Sequence, residues 1–297
     1  MNTTTVKKSL GATPLFLLIF LSLIWGTSFI LIKQGLKVFA PDQVGALRVT
    51  AAMIFLLPLA LPRLKELRGG DGWKLFLSGM MGIFLPAFLF SAAQTRLDSS
   101  VAGILNTLSP LWTMILGAAF FQQRFRNYAI VGIVLSFVGA VWLALSRSGG
   151  TISGINLYAF LIVGACLLYG ANLNWVKFKI PHLGAITIAS VSVLVTSPLA
   201  AIYLFGFTDF TVKLQTVPGA WRAAGFICLL AFMGTALANL IFNKLVKMTT
   251  PLYASTVTYI MPIVAVMWGV LDGEVLTLWH FVGMGLIISG VYLANKK

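Results

Sequence analysis

Charge is scarce in this chain of 297 residues: only 9% of its residues are charged, and the acidic ones number seven. A soluble domain carries roughly a quarter charged residues, because its surface faces water. Hydrophobic residues make up 59% of the sequence, and the mean hydropathy is +0.96. These values exclude an ordinary soluble fold and predict an exterior that faces lipid, where apolar side chains form the stable surface.

Cysteines and catalytic signatures are equally sparse. The two cysteines, Cys166 and Cys228, lie inside apolar runs; they give no indication of a disulfide framework and are predicted to be small core side chains. The signatures of ATP binding and of nucleophilic serines do not occur, and His182 and His280 fall near opposite membrane surfaces in the topology below. We therefore predict no enzyme activity, no catalytic residue, no cofactor and no metal site.

Ten apolar runs have the length, about 17–25 residues, that a helix needs to cross a bilayer core. The gaps between them are short, so no soluble domain fits, and we predict an all-α polytopic membrane protein. The first run is predicted to be a retained helix rather than a signal peptide. The runs cover approximately residues 14–32, 43–61, 73–93, 101–121, 128–146, 157–176, 184–207, 221–241, 252–271 and 278–294.

Basic residues predict the orientation. With a cytoplasmic N-terminus, fourteen lysines and arginines fall in inside segments and six in outside segments, while Arg48 lies within a span. Cytoplasmic segments carry the excess of basic residues, so both termini are predicted to be cytoplasmic in a multi-pass protein of the inner or plasma membrane. The net charge of +14 does not predict nucleic-acid binding, because the basic residues lie singly or in pairs between apolar runs.

Two segments of the chain echo each other. SLIWGTSFILIK at 22–33 and CLLYGANLNWVK at 166–177 both place an aromatic-Gly pair with its glycine seven residues before a lysine. Span 4 contains Pro110 and span 9 contains Pro262, 152 residues later. The sequence is thus predicted to consist of two five-helix repeats.

The repeats cover residues 10–147 and 152–297. Because five is an odd number, the second repeat enters the membrane from the opposite side, which places Lys33 outside and Lys177 inside. Inverted repeats are typical of secondary transporters, since two halves of opposite orientation can exchange shapes around a central site. The alternative is that the duplication records ancestry alone.

Three features together resemble EamA-type members of the drug/metabolite transporter superfamily. They are W-G-T-S-F-x-x-x-K in span 1, Arg48 in span 2, and P-I-V-A-V-x-x-G-V-L-D-G-E-V-L-T at 262–277, and the resemblance covers essentially the whole chain. It implies ten helices in an inverted 5+5 arrangement and export of amino acids or other small metabolites. One departure is Gln122, which matches Glu274 but stands where the family often has a carboxylate.

Polar and aromatic side chains inside the spans predict a substrate cavity, because a polar group in hydrocarbon needs a partner or water. Interhelical hydrogen bonding is the alternative for each of them. Pro110 and Pro262 predict helix kinks, since each removes the hydrogen bond to the carbonyl four residues earlier. The candidate substrate-binding residues are Trp25, Ser28, Gln94, Asn106, Tyr169, Asn172, Asn239, Tyr253, Thr258 and Tyr259.

Arg48 is the one charge well inside a span, where an arginine costs about 2.5–3.5 kcal/mol. It either contacts a substrate carboxylate or has a structural role, by snorkelling outward or bonding helix-end carbonyls. The second half has Thr187 at the matching place. Glu274 is predicted to be a structural residue at a helix end.

We therefore predict a secondary transporter that exports small organic metabolites by alternating access through a cavity between the two halves. Neutral or zwitterionic, amino-acid-like solutes are favoured, because few fixed charges lie in the spans. The alternatives are a channel-like facilitator or a non-transporting membrane scaffold. The predicted partners are the small-molecule substrate and the bilayer, without nucleic acid or an ATPase subunit, in a monomer or homodimer.

Overall fold

The computed structural model of the protein describes residues 12–122, 127–146, 156–248 and 257–295. Within those ranges the chain is helical, without any β-strand. Two of the predicted site residues are affected by these limits: Tyr253 lies outside the described residues, and the side chain of Tyr259 does too.

Most helices follow the predicted apolar runs. They are α1 (Ala12–Leu36), α2 (Pro41–Arg63), α3 (Asp71–Gly79), α4 (Leu85–Ala93), α5 (Ser99–Leu105), α6 (Ser109–Phe121), α7 (Asn127–Ser146), α8 (Tyr158–Lys179), α9 (Ala185–Gly206), α10 (Phe210–Thr216), α11 (Ala220–Leu229), α12 (Ala238–Met248), α13 (Val257–Leu271) and α14 (Leu278–Asn295). π-Helical segments join α3 to α4 (Met80–Phe84) and α11 to α12 (Leu230–Leu237), and a 3-10 turn joins α5 to α6 (Asn106–Leu108). The short helix α10 lies in a predicted gap.

Within the described part of the chain, seven helical stretches are long and apolar enough to cross a membrane. They correspond to α1, α2, α3 with α4, α5 with α6, α8, α9, and α11 with the start of α12. Three shorter apolar helices lie within α7, α13 and α14. The chain is thus an all-helical, multi-pass membrane protein, and a crossing by all ten predicted spans stays a prediction.

The helices pack mainly between the early and the late part of the chain. α1 contacts α13, α2 contacts α9, α6 and α4 contact α8, and α7 contacts α14. The main apolar core follows from this arrangement: fully buried Leu105 of α5, Ile162 of α8 and Ile227 of α11 belong to one cluster. Cys166 is buried in the same cluster, as predicted for a small core side chain.

The glycines of the two echoed segments lie where helices approach most closely. A Cβ on Gly26 would lie 2.5 Å from Cβ of Val264, and one on Gly170 would lie 2.6 Å from the backbone nitrogen of Thr113. Side-chain carbons do not approach other atoms so closely, so both contacts require glycine. Val264 and Thr113 each follow a proline, Pro262 or Pro110, within three residues. The glycine of the repeated motif therefore lets α1 pack closely against α13, and α8 against α6, next to the proline of each partner helix.

Glycines also allow α7 and α14 to pack together. A Cβ on Gly139 would lie 2.9 Å from the carbonyl oxygen of Gly283, and one on Gly290 would lie 2.5 Å from that of Gly132. Because these contacts join two helices of the same chain, the glycine faces serve internal packing.

The contact at Gly170 yields the first testable prediction. Gly170→Ala forces a methyl group against the backbone of α6, and such overpacking costs about 1–3 kcal/mol. Gly164→Ala is the matched control, because it lies on the same helix and a Cβ there meets nothing within 4 Å. We expect the melting temperature of the detergent-purified protein to fall for Gly170→Ala and to stay equal or rise for Gly164→Ala. Equal melting temperatures for both variants would contradict the assigned contact.

Candidate functional site

The π-helical segment between α11 and α12 collects side chains from several helices. Trp25 of α1 donates its Nε1–H to the carbonyl of Gly234 at 3.0 Å. Asn239 of α12 donates to the carbonyl of Thr235 at 2.7 Å, and Arg48 of α2 donates its Nε–H to the hydroxyl of Thr235 at 3.2 Å. A π-helical turn changes the regular hydrogen-bond spacing of the backbone and occurs frequently at functional sites. Here it brings together three of the residues predicted from the sequence.

The π-helical segment between α3 and α4 makes a similar contact with α8. Asn172 accepts a hydrogen bond from the Ser78 hydroxyl at 2.7 Å, and its amide lies over Gly82, where a Cβ would be 2.4 Å from Nδ2. Ser28, which matches Asn172 in the first echoed segment, lies over Gly234, where a Cβ would be 2.9 Å from its hydroxyl oxygen. Both polar side chains therefore pack on a glycine of a π-helical segment.

Pro110 follows the 3-10 turn that separates α5 from α6, and the helix kink predicted at this proline stays a prediction. The carbonyl of Asn106 accepts a hydrogen bond from the Ser109 hydroxyl at 2.9 Å and lies 3.8 Å from Sγ of Cys166. The Asn106 amide lies 3.8 Å from the Met261 sulfur in α13. This carbonyl is therefore partnered within the protein. Pro262, by contrast, lies within α13, which the structure describes as one helix from Val257.

Arg48 points between the two parts of the chain. Its neighbours Leu47 and Val49 are buried, whereas Arg48 itself is partly exposed. Besides its bond to Thr235, the guanidinium lies close enough to Tyr169 of α8 for an electrostatic interaction. The Tyr169 ring in turn lies 6.2 Å from the ring of Phe90, a buried core residue of α4.

Gln94 lies away from these contacts. It caps the end of α4, is 6% exposed, and donates to the carbonyl of Phe29 at 2.8 Å. This bond joins α4 to α1, and substrate binding by Gln94 stays a prediction. Thr258 lies in the first turn of α13. Among the predicted residues whose side chains the structure describes, Trp25, Ser28, Asn172 and Asn239 lie at the two π-helical segments, and Asn106 lies in the 3-10 turn.

Several partners in this region were not predicted from the sequence. Thr235, Ser78 and Ser109 supply hydrogen bonds to predicted residues, yet each is a common helix residue without a distinctive pattern. One signal was present in the sequence: Gly82 and Gly234 are 152 residues apart, the same offset as the two prolines. Among the described residues no group of His, Cys, Asp and Glu could hold a metal ion.

A charged cluster joins the end of α1 to the loop after α13. The Lys33 ammonium lies 2.7 Å from Asp272 and 2.8 Å from Glu274. The Glu274 carboxylate also accepts hydrogen bonds from the backbone amides and the hydroxyls of Ser99 and Ser100. These amides begin α5, where the helix dipole favours a negative charge. Glu274 is therefore a structural residue at a helix end, as predicted, although the helix that it caps is α5.

The environment of Glu274 determines its ionisation. Burial alone would raise the pKa of this carboxyl, but hydrogen bonds from Lys33 and from the two serines outweigh that effect and hold the pKa at about 2. The carboxylate is thus ionised at every physiological pH. Gln122, its counterpart by sequence, is exposed at the C-terminus of α6 with a φ of 53°.

Glu274→Gln tests this cluster, because it keeps the shape of the side chain and removes its charge. Hydrogen bonds to a charged group contribute about 1.5–3 kcal/mol, so we expect a loss of stability of that size at pH 7. A lowered pKa gives stability that is complete above the ordinary value, 4.5, and is lost as the pH falls towards 2. The difference in melting temperature between wild type and variant should therefore begin to shrink below about pH 4.5 and disappear near pH 2.

Asp272→Asn is the control for this experiment. Asp272 bonds Lys33 and the amide of Gln34, and its side chain is 22% exposed, against 2% for Glu274. We expect the smaller loss of stability from this variant. An equal or greater loss from Asp272→Asn would contradict the role assigned to Glu274.

Comparison with known proteins agrees with this architecture. A solved crystal structure has the same fold, with a TM-score of 0.63, 17% sequence identity, and coverage of 95% of this chain and 96% of that one. An uncharacterized transporter of Archaeoglobus fulgidus is 26% identical over 92% of this chain and 95% of its own length. The uncharacterized inner membrane transporter YedA of Escherichia coli K12 is 27% identical, with 95% and 90% covered.

A third relative is described as a probable amino-acid metabolite efflux pump of Salmonella typhimurium, and it is 26% identical over 94% of this chain and 93% of its own length. The sequence model of the EamA-like transporter family matches residues 12–145 and 156–296. These relatives and the family are transporters rather than enzymes. The chain belongs to the EamA-like transporter family.

Proposed function

We propose that this protein is a secondary transporter that exports small organic metabolites by alternating access, through a cavity between two inverted halves. The observation that carries the proposal is the matched seating of the two echoed segments. Gly26 packs against Val264, two residues after Pro262 in α13. Gly170 packs against Thr113, three residues after Pro110 in α6. Each half thus presents the same contact to the other, as two halves that exchange shapes require.

The pair of α2 and α9 supports the inversion independently. Gln43, the third residue of α2, donates at 2.6 Å to Asp209, which lies three residues after the end of α9. Thr187, the third residue of α9, donates to Glu66, which lies three residues after the end of α2. The two helices are therefore joined at both ends by reciprocal contacts, which a two-fold axis between antiparallel halves would produce. The sequence model of the family matches the chain twice, at residues 12–145 and 156–296. The gap between these matches falls where the two predicted repeats, 10–147 and 152–297, meet.

These contacts correct one alignment made from the sequence. Thr187 corresponds in position to Gln43, whereas Arg48 lies seven residues after the start of α2, as Ser192 does after the start of α9. Arg48 therefore has an uncharged counterpart in either alignment, and the two halves contribute unequally to the proposed cavity.

The proposed orientation follows from the basic residues. Both termini are placed in the cytoplasm of a cell that carries the protein in its inner or plasma membrane, with the Lys33 cluster on the outer side. Ten spans are proposed, of which α7, α13 and α14 contain the three shorter apolar helices.

The proposed solutes are neutral or zwitterionic and resemble amino acids. The described spans provide amide, hydroxyl and aromatic groups, and a single internal charge at Arg48. The relative described as a probable amino-acid metabolite efflux pump supports this class. A monomer or a homodimer is proposed to suffice, without an ATPase subunit.

Counterflow in liposomes tests the proposal. Purified protein in liposomes preloaded with an unlabelled solute should accumulate the radiolabelled form, with amino acids and nucleosides as the panel. Asn106→Phe should abolish accumulation, because the ring would fill the space beside α13 and α8. Leu173→Phe, at an exposed position of α8, should leave it unchanged. Ion currents without solute counterflow would identify a channel, and no flux of either kind would favour a scaffold.

A further inference from the structure

The guanidinium of Arg48 is incompletely partnered. Its Nε–H bonds the Thr235 hydroxyl, but its two terminal nitrogens have no hydrogen-bond acceptor among the described residues. No carboxylate of the described chain lies within ion-pair distance of it, whereas Lys213 pairs with Asp209 and Lys33 pairs with two carboxylates. Arg48 thus contributes an uncompensated positive charge in the interior of the molecule.

The surroundings of Arg48 exclude a snorkelling role. A snorkelling side chain extends along its own helix to the membrane surface. Arg48 instead donates its Nε–H across to Thr235 in the π-helical segment and lies within electrostatic range of Tyr169 of α8. Gln43, nearer the end of α2, is buried and bonded to Asp209, so the route along the helix towards the outer surface is occupied by another interaction. Arg48 therefore faces the space between the halves.

An arginine in this position needs a counter-charge. Arginine within a membrane is costly, and a buried charge without a partner is strongly destabilising. The planar fork of terminal N–H groups matches the two oxygens of a carboxylate. A phosphate monoester carries a charge of about −1.5 to −2, which one cation does not balance. The single negative charge of one carboxylate balances the charge of the Arg48 guanidinium.

We propose that Arg48 binds the carboxylate of the transported solute through its two terminal guanidinium nitrogens, while Thr235 fixes the guanidinium through Nε. This assignment rests on the transport function proposed above and narrows its substrates to monocarboxylates, including zwitterionic amino acids. The partly exposed ring of Tyr169 lies nearby and suits an apolar or aromatic side chain on the solute.

Counterflow with paired probes tests the assignment. The probes are radiolabelled leucine, threonine and phenylalanine, with the amides of the same amino acids as unlabelled competitors and uridine as a solute without a carboxylate. We expect wild type to move at least one amino acid, and the matching amide to compete at least about tenfold more weakly, since it lacks the charged acceptor. This comparison needs no variant.

Two variants locate the effect at Arg48. Arg48→Gln should reduce counterflow of the amino acid about 10- to 100-fold, the size expected for losing charged hydrogen bonds. Arg48→Lys keeps the positive charge but lacks the two terminal guanidinium N–H groups. If Arg48→Gln lowers the yield of folded protein, Arg48→Lys should restore that yield, while counterflow of the amino acid stays reduced. Arg222→Gln is the matched control, because Arg222 is exposed on α11 with its guanidinium 5.7 Å from the Phe226 ring centroid. It should transport as wild type does.

The outcomes separate the two proposals. If amide and amino acid compete equally and Arg48→Gln still exchanges the amino acid, the carboxylate site is overturned while transport stands. Counterflow of uridine without any amino acid also overturns the site. If wild type moves none of the probes, the proposed transport function is contradicted for these solutes and the site assignment falls with it.

Discussion

A backbone carbonyl that loses its helical partner at membrane depth must find another donor, because lipid supplies none. The described helices are interrupted inside the bundle at one 3-10 turn and two π-helical segments. Side chains bond the carbonyls there: Ser109 bonds that of Asn106, and Trp25 bonds that of Gly234. Since Trp25 comes from a different helix, an interruption is also a place where helices are joined.

This constraint explains the distribution of polarity in the molecule. Full charges pair near helix ends, as Lys33 does with Glu274, where water and helix dipoles stabilise them. The middle of the bundle contains amides, hydroxyls and aromatic rings around the interruptions, with Arg48 as the exception. In the proposed transport, a solute that crosses between the halves would exchange water for these groups, and one negative charge on it, such as a carboxylate, would also neutralise the remaining positive charge.

Helix positions were largely predictable, because the length of the apolar runs is visible in the sequence. The matched spacing of Gly26 with Gly170 suggested a repeat, but the contacts of these glycines with other helices were not predicted from it. The π-helical segments were not predictable, since Met80–Phe84 has no residue that marks such a turn. The hydrogen bond from Gln94 to the carbonyl of Phe29 was not predictable either, because Phe29 lies 65 residues away. Glu274 caps a helix that begins 175 residues earlier, and local patterns do not report such contacts.

The account requires that the two echoed helices cross the membrane in opposite directions. Lys37 and Lys179 are exposed and lie at the ends of α1 and α8. Each is replaced by cysteine, one at a time, in a chain with Cys166→Ala and Cys228→Ala, and intact cells are treated with a membrane-impermeant maleimide. The account predicts that Lys37→Cys reacts from outside and that Lys179→Cys reacts only after the membrane is opened. Reaction of both positions from the same side would contradict it.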